Sequence, residues 1–357
     1  MDHPEWLTTP ALVVDPDILD ANVARISQAA AGAGITLFPH AKTHKCAEIG
    51  ARQGAAGAAG LSVATIGEAA AFARAGVTDL FLCYSLWLDP VRAEGLRAVA
   101  ASARLRIGVD SVEGAGRAGS LLAGSGIEAM VEVDSGHHRC GVAPAAAGEV
   151  ARAAAAAGLR PVGVFSFPGH SYAPGARHAA AEQEAAALAA AAASMTAAGQ
   201  PARIVSGGST PSLEYSLAAE RSGITELRPG VYVFGDAQQW ALGSCRPDQL
   251  ALTAHATVIS RRGRRVVVDS GSKILGADRP GYVSGFGRLL DHPEARIDLL
   301  SEHHAVIEWA DEPLPELGAV LRVVPNHACN AVNLVDSLAV RDRGGWQRWT
   351  LIARGTH

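Results

Sequence analysis

Between residues 35 and 235 the chain alternates two textures. Short apolar runs rich in β-branched residues read as buried strands: ITLFPHAK (35–42), LSVAT (61–65), DLFLCYS (79–85), LRIGVD (105–110), AMVEVD (129–134), PVGVFSF (161–167), ARIVSGG (202–208) and TELRPGVYVF (225–234). Between them lie alanine-rich stretches such as GEAAAFARAG and HAAAEQEAAALAAAAASMTAAG, bounded by Gly and Pro. Alanine is the strongest helix former, so these predict helices and not low-complexity linkers. Strands alternating with helices across about 200 residues predict a (β/α)8 barrel of TIM type. A doubly wound sheet is the rival, but the glycines of SVEGAGRAGS miss the G-x-G-x-x-G spacing of a dinucleotide fold.

After residue 250 the texture changes to strand-length β-branched runs separated by turn residues, as in LTAHATVISRRGRRVVVDSGS and GAVLRVVPNHACNAVNLVDSLAVRDRGG. A mostly β C-terminal domain is expected there. The opening TPALVVD is strand-like too and is expected to pair with it. The expected division is a barrel over 20–245 and a β domain made of 1–19 plus 246–357.

Composition narrows the function classes. The chain has 357 residues, 48% of them hydrophobic, and a formal charge of -4. No basic block with interleaved aromatics occurs, so nucleic acid and anionic membrane surfaces are not expected partners, and a small molecule is. No apolar run approaches the roughly 18 residues of a spanning helix, and MDHPEWLTTP lacks the basic and apolar regions of a leader, so a cytoplasmic location is expected. Cys46, Cys83, Cys140, Cys245 and Cys329 are scattered without a C-x-x-C pair, which predicts reduced thiols, most of them in the core.

Lysine occurs only at Lys42, Lys45 and Lys273, although Lys+Arg total 31. A site that keeps lysine where arginine is otherwise used needs an amine that can lose its proton and attack a carbonyl. Barrel chemistry gathers at the C-terminal ends of the strands. His40, Lys42 and His44 follow the first run there, Thr65 the second, Asp134 and Arg139 the fifth, His170 and Tyr172 the sixth, and Ser206 to Thr210 the seventh. Taken singly, Lys42 reads as a snorkelling strand-end lysine and SGGST as a turn. Taken together, a Schiff-base lysine and a glycine–hydroxyl segment after strand seven point to pyridoxal 5'-phosphate (PLP), which needs both an amine and a phosphate cradle. In PNHACN, His327 and Cys329 stand two apart, which on a strand puts both on one face. A nitrogen and a sulfur donor so placed suit zinc, although His-x-Cys also arises by chance in cores.

The motifs TPALVVD, PHAKTHK, VEVDSGHHRCGV, GHSY, SGGSTPS, ELRPGVYVFGD, VVPNHAC and the closing ARG occur in this order. The chain thereby resembles the D-serine dehydratase and D-threonine aldolase family, which is similar to alanine racemase in fold. The resemblance implies a PLP enzyme with a barrel and a β domain, usually a homodimer. It implies Lys42 as the Schiff-base lysine and Arg139 opposite the pyridine nitrogen, where it cannot hand the ring a proton. It also implies His170 and Tyr172 in the pocket, Ser206, Gly207, Gly208, Ser209, Gly230 and Tyr232 around the phosphate, and His327 with Cys329 on the metal. His-x-Cys is the pattern of the dehydratase branch, whereas the aldolases carry His-x-Asp, which prefers harder ions such as manganese. SEHH (301–304) departs from the usual Ser-Glu-Glu-His, with His303 in place of a carboxylate. That change favours an acidic substrate such as a 3-hydroxyaspartate.

The expected reaction is β-elimination of water from a D-β-hydroxy amino acid, D-serine first, with Lys42 taking the α-proton and the metal assisting the leaving hydroxide. The alternatives are a D-threo-3-hydroxyaspartate dehydratase and a retro-aldol enzyme in which His44 serves as base. A PLP carrier without turnover is the rival from another class. The β domain and the His-x-Cys pair count against it.

Overall fold

The structure is a computed structural model and describes residues 3–218, 223–310 and 313–356. The first strand, β1 (Ala11–Val14), stands apart from the barrel. Eight parallel strands follow: β2 (Thr36–Leu37), β3 (Leu61–Val63), β4 (Asp79–Ser85), β5 (Arg104–Val109), β6 (Glu128–Glu132), β7 (Arg160–Phe165), β8 (Ile204–Gly207) and β9 (Glu226–Leu227). They hydrogen-bond in the order β2-β9-β8-β7-β6-β5-β4-β3. A parallel bridge between His40 and Ser62, with the Ser62 N–H donating to the Pro39 carbonyl at 2.9 Å, joins the two ends and closes the barrel.

The middle strands fall where the apolar runs placed them. The first and last runs yield only two strand residues each, because Pro39 and Pro229 cannot donate to a ladder. Beyond each proline the chain turns into a short 3-10 helix, Ala41–Thr43 and Val231–Val233. Every residue of β6 is buried, as is every residue of β7 after the first, as expected of parallel strands covered on both faces. The helices begin at side-chain caps: Thr65, Asp89 and Ser111 accept the N–H groups of Glu68, Arg92 and Gly114. Thr65, grouped with the site by sequence, is therefore a helix cap. Gly119 shows why glycine interrupts one helix, since a Cβ there would lie 2.2 Å from the Cβ of Ala157 on the neighbouring helix.

Phe38, Phe81, Met130, Val162 and Phe165 fill part of the barrel interior. Charge is buried among them. Arg106 pairs with Glu226 at 2.8 Å and lies over the rings of Phe38 and Phe81 at 4.1 and 4.9 Å. Arg228 lies over Phe81 and Phe165 and donates to the Ser206 hydroxyl and the Ser166 carbonyl. Sequence had read Arg106 as one residue of an apolar run. The aromatic faces and the buried carboxylate explain how a guanidinium is held there.

The other sheet contains β1, β10 (Leu252–Arg262), β11 (Arg265–Val268), β12 (Arg288–Leu289), β13 (Arg296–Leu300), β14 (Ala305–Glu308), β15 (Val320–Val324), β16 (Ser337–Asp342) and β17 (Gly345–Thr350). Its order is β11-β14-β13-β12-β15-β10-β1-β16-β17, with β10 also pairing β11. The long β10 pairs β15 through Ala254–Thr257 and β11 through Val258–Arg262, so six strands form a ring. β1 adds to the free edge of β10 antiparallel and carries β16 parallel on its other side.

By compactness the chain divides into a barrel unit of Arg25–Lys42, Ile49–Gly230 and Gly355–His357, and a β unit of Met1–Ala24, Thr43–Glu48 and Val231–Arg354. These bounds differ from the expected division at 20–24, 43–48, 231–245 and 355–357. Residues 43–48 join the β unit because the Lys45 carbonyl accepts the Ile352 N–H at 2.9 Å, Cys46 bridges Leu351, and Lys45 Nζ donates to Asn333 Oδ1 at 2.7 Å. Residues 231–245 join it because the Ala237 N–H donates to the Pro325 carbonyl and Asp236 accepts the Ala328 N–H.

Candidate active site

In the barrel unit, the loops after β2, β6 and β7 converge on Phe167. Lys42 Nζ lies 5.8 Å from its ring centroid and the Arg139 guanidinium 4.9 Å. His137 meets the ring edge-on at 5.4 Å, and the Tyr172 ring is 6.3 Å away. Burial, and then the Arg139 charge, lower the pKa of His137, so a neutral imidazole faces this aromatic surface. Glu132, almost fully buried at the end of β6, accepts the Ser85 N–H and hydroxyl at 3.1 and 3.0 Å and lies 4.0 Å from Arg139. His40 is half-buried, with Nε2 3.3 Å from the Cys83 sulfur. Asp134 accepts the Gly136 and His138 N–H groups and so shapes the loop that carries Arg139.

His170 lies in the 3-10 turn Gly169–Tyr172, and neither ring nitrogen has a hydrogen-bond partner among the described residues. Ser171, Ser209 and Ser212 form a buried hydroxyl cluster with contacts of 2.9 Å. The rest of SGGS is turned inward. Ser206 donates to Glu226 at 2.5 Å inside the barrel, and the Gly208 N–H donates to Glu184 Oε2 at 2.9 Å. Gly208 has φ +82, and a Cβ there would strike Leu227 at 2.5 Å, so the position requires glycine. Glu184 also accepts the Ser166 hydroxyl at 2.6 Å, and complete burial raises its pKa to about 7. An amine beside an aromatic surface and a guanidinium fits PLP, which takes a lysine on its aldehyde and an Asp or Arg at its ring nitrogen.

In the β unit, His327 and Cys329 do not lie on a strand as expected. Pro325 ends the ladder after β15, and His327 becomes the N-cap of a short helix, Ala328–Val332, that contains Cys329. The two side chains still meet. His327 and Cys329 are hydrogen-bonded, and the sulfur is 3.2 Å from Thr43 Oγ1. On the other side of the ring, His327 Nδ1 is 3.0 Å from Asp278 Oδ2. Burial works against charge on His327, but the Cys329 sulfur and the Asp236 and Asp278 carboxylates overcome it and raise the pKa to about 10. Asp236, fully buried, is pushed up to about 6 by that burial. Among the described residues no group of three or more His, Cys, Asp or Glu is placed to hold a metal ion.

His44 is fully buried in this unit, with Nδ1 accepting the Cys46 N–H at 3.2 Å. Its ring is engaged in the local turn. Gly230 ends the barrel segment and Tyr232 is buried in the β unit. His303 is exposed on the turn between β13 and β14. All five cysteines are thiols, and Cys46 is the one fully buried. Sequence reasoning missed Phe167, Glu184, Arg228, Asp236 and Asp278. Of these, Arg228 and Asp236 lay inside the motif ELRPGVYVFGD, and Phe167 ended the run PVGVFSF.

Comparison with known proteins supports the same assignment. Residues 14–238 match the family model "Alanine racemase, N-terminal domain" and residues 251–341 match "Putative serine dehydratase domain". The chain is 35% identical over 351 residues to the D-threo-3-hydroxyaspartate dehydratase of Delftia sp. (strain HT23), covering 90% of this chain and 91% of that protein. It is 32% identical over 364 residues to the D-threonine aldolase of Arthrobacter sp, covering 97% and 93%. The structure of the Delftia dehydratase superposes with TM-score 0.89 at 32% identity over 96% of this chain and 97% of that one. A cysteine-to-alanine mutant of a D-threo-3-hydroxyaspartate dehydratase, in the metal-free form, superposes with TM-score 0.88 over 96% and 97% at 32% identity. The fold and these matches define a PLP-dependent lyase of the alanine racemase-like, type III fold. Within that class the chain belongs to the family that includes D-threo-3-hydroxyaspartate dehydratase and D-threonine aldolase.

Proposed function

We propose that this enzyme is a PLP- and divalent-metal-dependent dehydratase of D-β-hydroxy amino acids that releases a 2-oxo acid and ammonia. The observation that carries the reading is the imidazole–thiol pair of His327 and Cys329, brought together at a helix start although the strand expected to align them is absent. D-Serine is the substrate expected from sequence. Likeness to the Delftia enzyme adds D-threo-3-hydroxyaspartate on equal footing.

Lys42 is the amine that would hold the cofactor aldehyde, and its free Nζ would take the substrate's α-proton. Phe167 offers the flat surface beside that amine. Arg139 keeps a permanent positive charge and no transferable proton next to the ring. His170 and the Ser171, Ser209 and Ser212 hydroxyls supply polar contacts in the same loops. PLP, when bound, delocalises the electron pair left on Cα. His327 and Cys329 would hold a divalent ion, which would supply a Lewis acid for the departing β-hydroxyl. A sulfur–nitrogen pair would favour zinc over harder ions such as manganese. Loss of water leaves an enamine that hydrolyses to the oxo acid and ammonia. A homodimer and a cytoplasmic location accompany this reading.

The test is product analysis with D-serine, D-threo-3-hydroxyaspartate and D-threonine. Oxo acid and ammonia from either of the first two support the dehydratase. Glycine with an aldehyde, from any of the three, moves the chain to the aldolase reading, and no turnover sinks both.

A further inference from the structure

The segment between β11 and β12 is pinned to the turn that carries the metal pair, and one carboxylate stands at the junction. Asp278 Oδ2 is 3.0 Å from His327 Nδ1. Asn330 Nδ2 donates to both oxygens of the same carboxylate at 2.6 Å, and Asn326 Nδ2 donates to the Asp278 backbone carbonyl at 2.8 Å. A second bond from Asn326 Nδ2 to the Gly285 carbonyl, at 3.0 Å, holds the far end of the same segment.

We propose that Asp278 is the positioning residue of the metal centre: its carboxylate takes the Nδ1 proton of His327 as a hydrogen bond, leaving the Nε2 lone pair toward the metal. The inference rests on the reading of His327 and Cys329 as metal ligands. Its physical basis is the two-sided nature of imidazole. Whichever nitrogen carries the proton is set by the partner of the other, and an anionic partner also makes the ligating nitrogen more basic. Asn330 and Asn326 act behind it, the first by aiming the carboxylate and the second by fixing the backbone on which it sits. Asp278 lies 49 residues before His327, so no local motif announces the pair.

The competing role is a mechanical one, a tether that merely fastens residues 276–286 to the helix start. The two roles separate in a zinc titration of the full-length protein against a chromophoric chelator, using zinc alone with no substrate, alongside thermal unfolding by circular dichroism. Positioning predicts that Asp278→Ala weakens zinc about 10–100-fold. Asp278→Asn, which keeps the shape and an acceptor but not the charge, falls between that variant and the parent. A tether predicts a lower Tm with unchanged zinc affinity, and that result overturns the proposal. If Asp278→Ala does not fold, Asp278→Asn decides alone: parent-like affinity rejects positioning and weakened affinity supports it. His327→Ala is the control for the reading beneath. Zinc bound equally well by the parent and His327→Ala removes the metal site itself. Zinc lost in His327→Ala but retained in Asp278→Ala removes only the role of Asp278.

Discussion

Replacing Glu226 with glutamine probes the charge buried in the barrel. Glu226 and Arg106 have side-chain exposures of 5% and 2% and stand 2.8 Å apart. Glutamine preserves the shape and can still accept the Ser206 hydroxyl, so the change isolates the loss of one negative charge. The guanidinium then stays enclosed over Phe38 and Phe81 without its counter-charge. Removing one partner of a buried pair costs about 3–5 kcal/mol, and the amide oxygen, which keeps a neutral hydrogen bond, sets the expectation at the lower end. For a unit of this size each kcal/mol lowers Tm by roughly 2–4 °C, so a fall of about 6–12 °C is expected. The assay is thermal unfolding at pH 7 by circular dichroism, with Arg106→Met/Glu226→Gln closing a double-mutant cycle. Removing both charges should recover most of the loss, because apolar replacements of buried pairs are often neutral or better. A Glu226→Gln protein within about 0.5 kcal/mol of the parent would refute the reasoning, since that is the range of ordinary surface changes.

Lys42→Ala should abolish the yellow colour of the PLP-bound protein and reduce lyase turnover by about 10²–10⁴-fold or more, read by visible absorbance and oxo-acid release. Full turnover in that variant would remove Lys42 from the chemistry. Glu184 gives a pH signature. Its folded pKa of about 7 stands above the ordinary 4.5, so stability is complete below pH 4.5 and is lost as the pH rises through 7. Glu184→Gln should therefore gain on the parent by about 3 kcal/mol between pH 4.5 and 8 in urea unfolding. A difference that does not vary with pH would show that Glu184 titrates normally.

The barrel was legible because its signal is local. Strands β5 to β7 are almost wholly buried runs, and the alanine-rich stretches between them have little choice but helix. The edges were less legible, since Pro39 and Pro229 shorten β2 and β9 to a few hydrogen bonds. At His327 and Cys329, sequence expected a strand where the structure has a helix start. His-x-Cys aligns on a strand by periodicity, yet Pro325 ends that strand and a helix start brings the two together instead. The polar interior was hidden for a different reason. Arg106 pairs with Glu226 across 120 positions, and Glu184 reaches Gly208 from the middle of an alanine helix. Such partners meet only once the barrel closes. Asp278 is the extreme case, an acid in an irregular segment whose importance comes from a histidine on a distant turn.

The most direct test of the account is metal-dependent dehydration. The yellow enzyme is stripped with EDTA, dialysed, and given zinc or manganese, while oxo acid is followed from D-serine and from D-threo-3-hydroxyaspartate. The account predicts that stripping abolishes oxo-acid release and that zinc restores it better than manganese. His327→Ala and Cys329→Ala should stay yellow and inactive in either metal. Undiminished dehydration by the stripped enzyme, or by either variant, would contradict it.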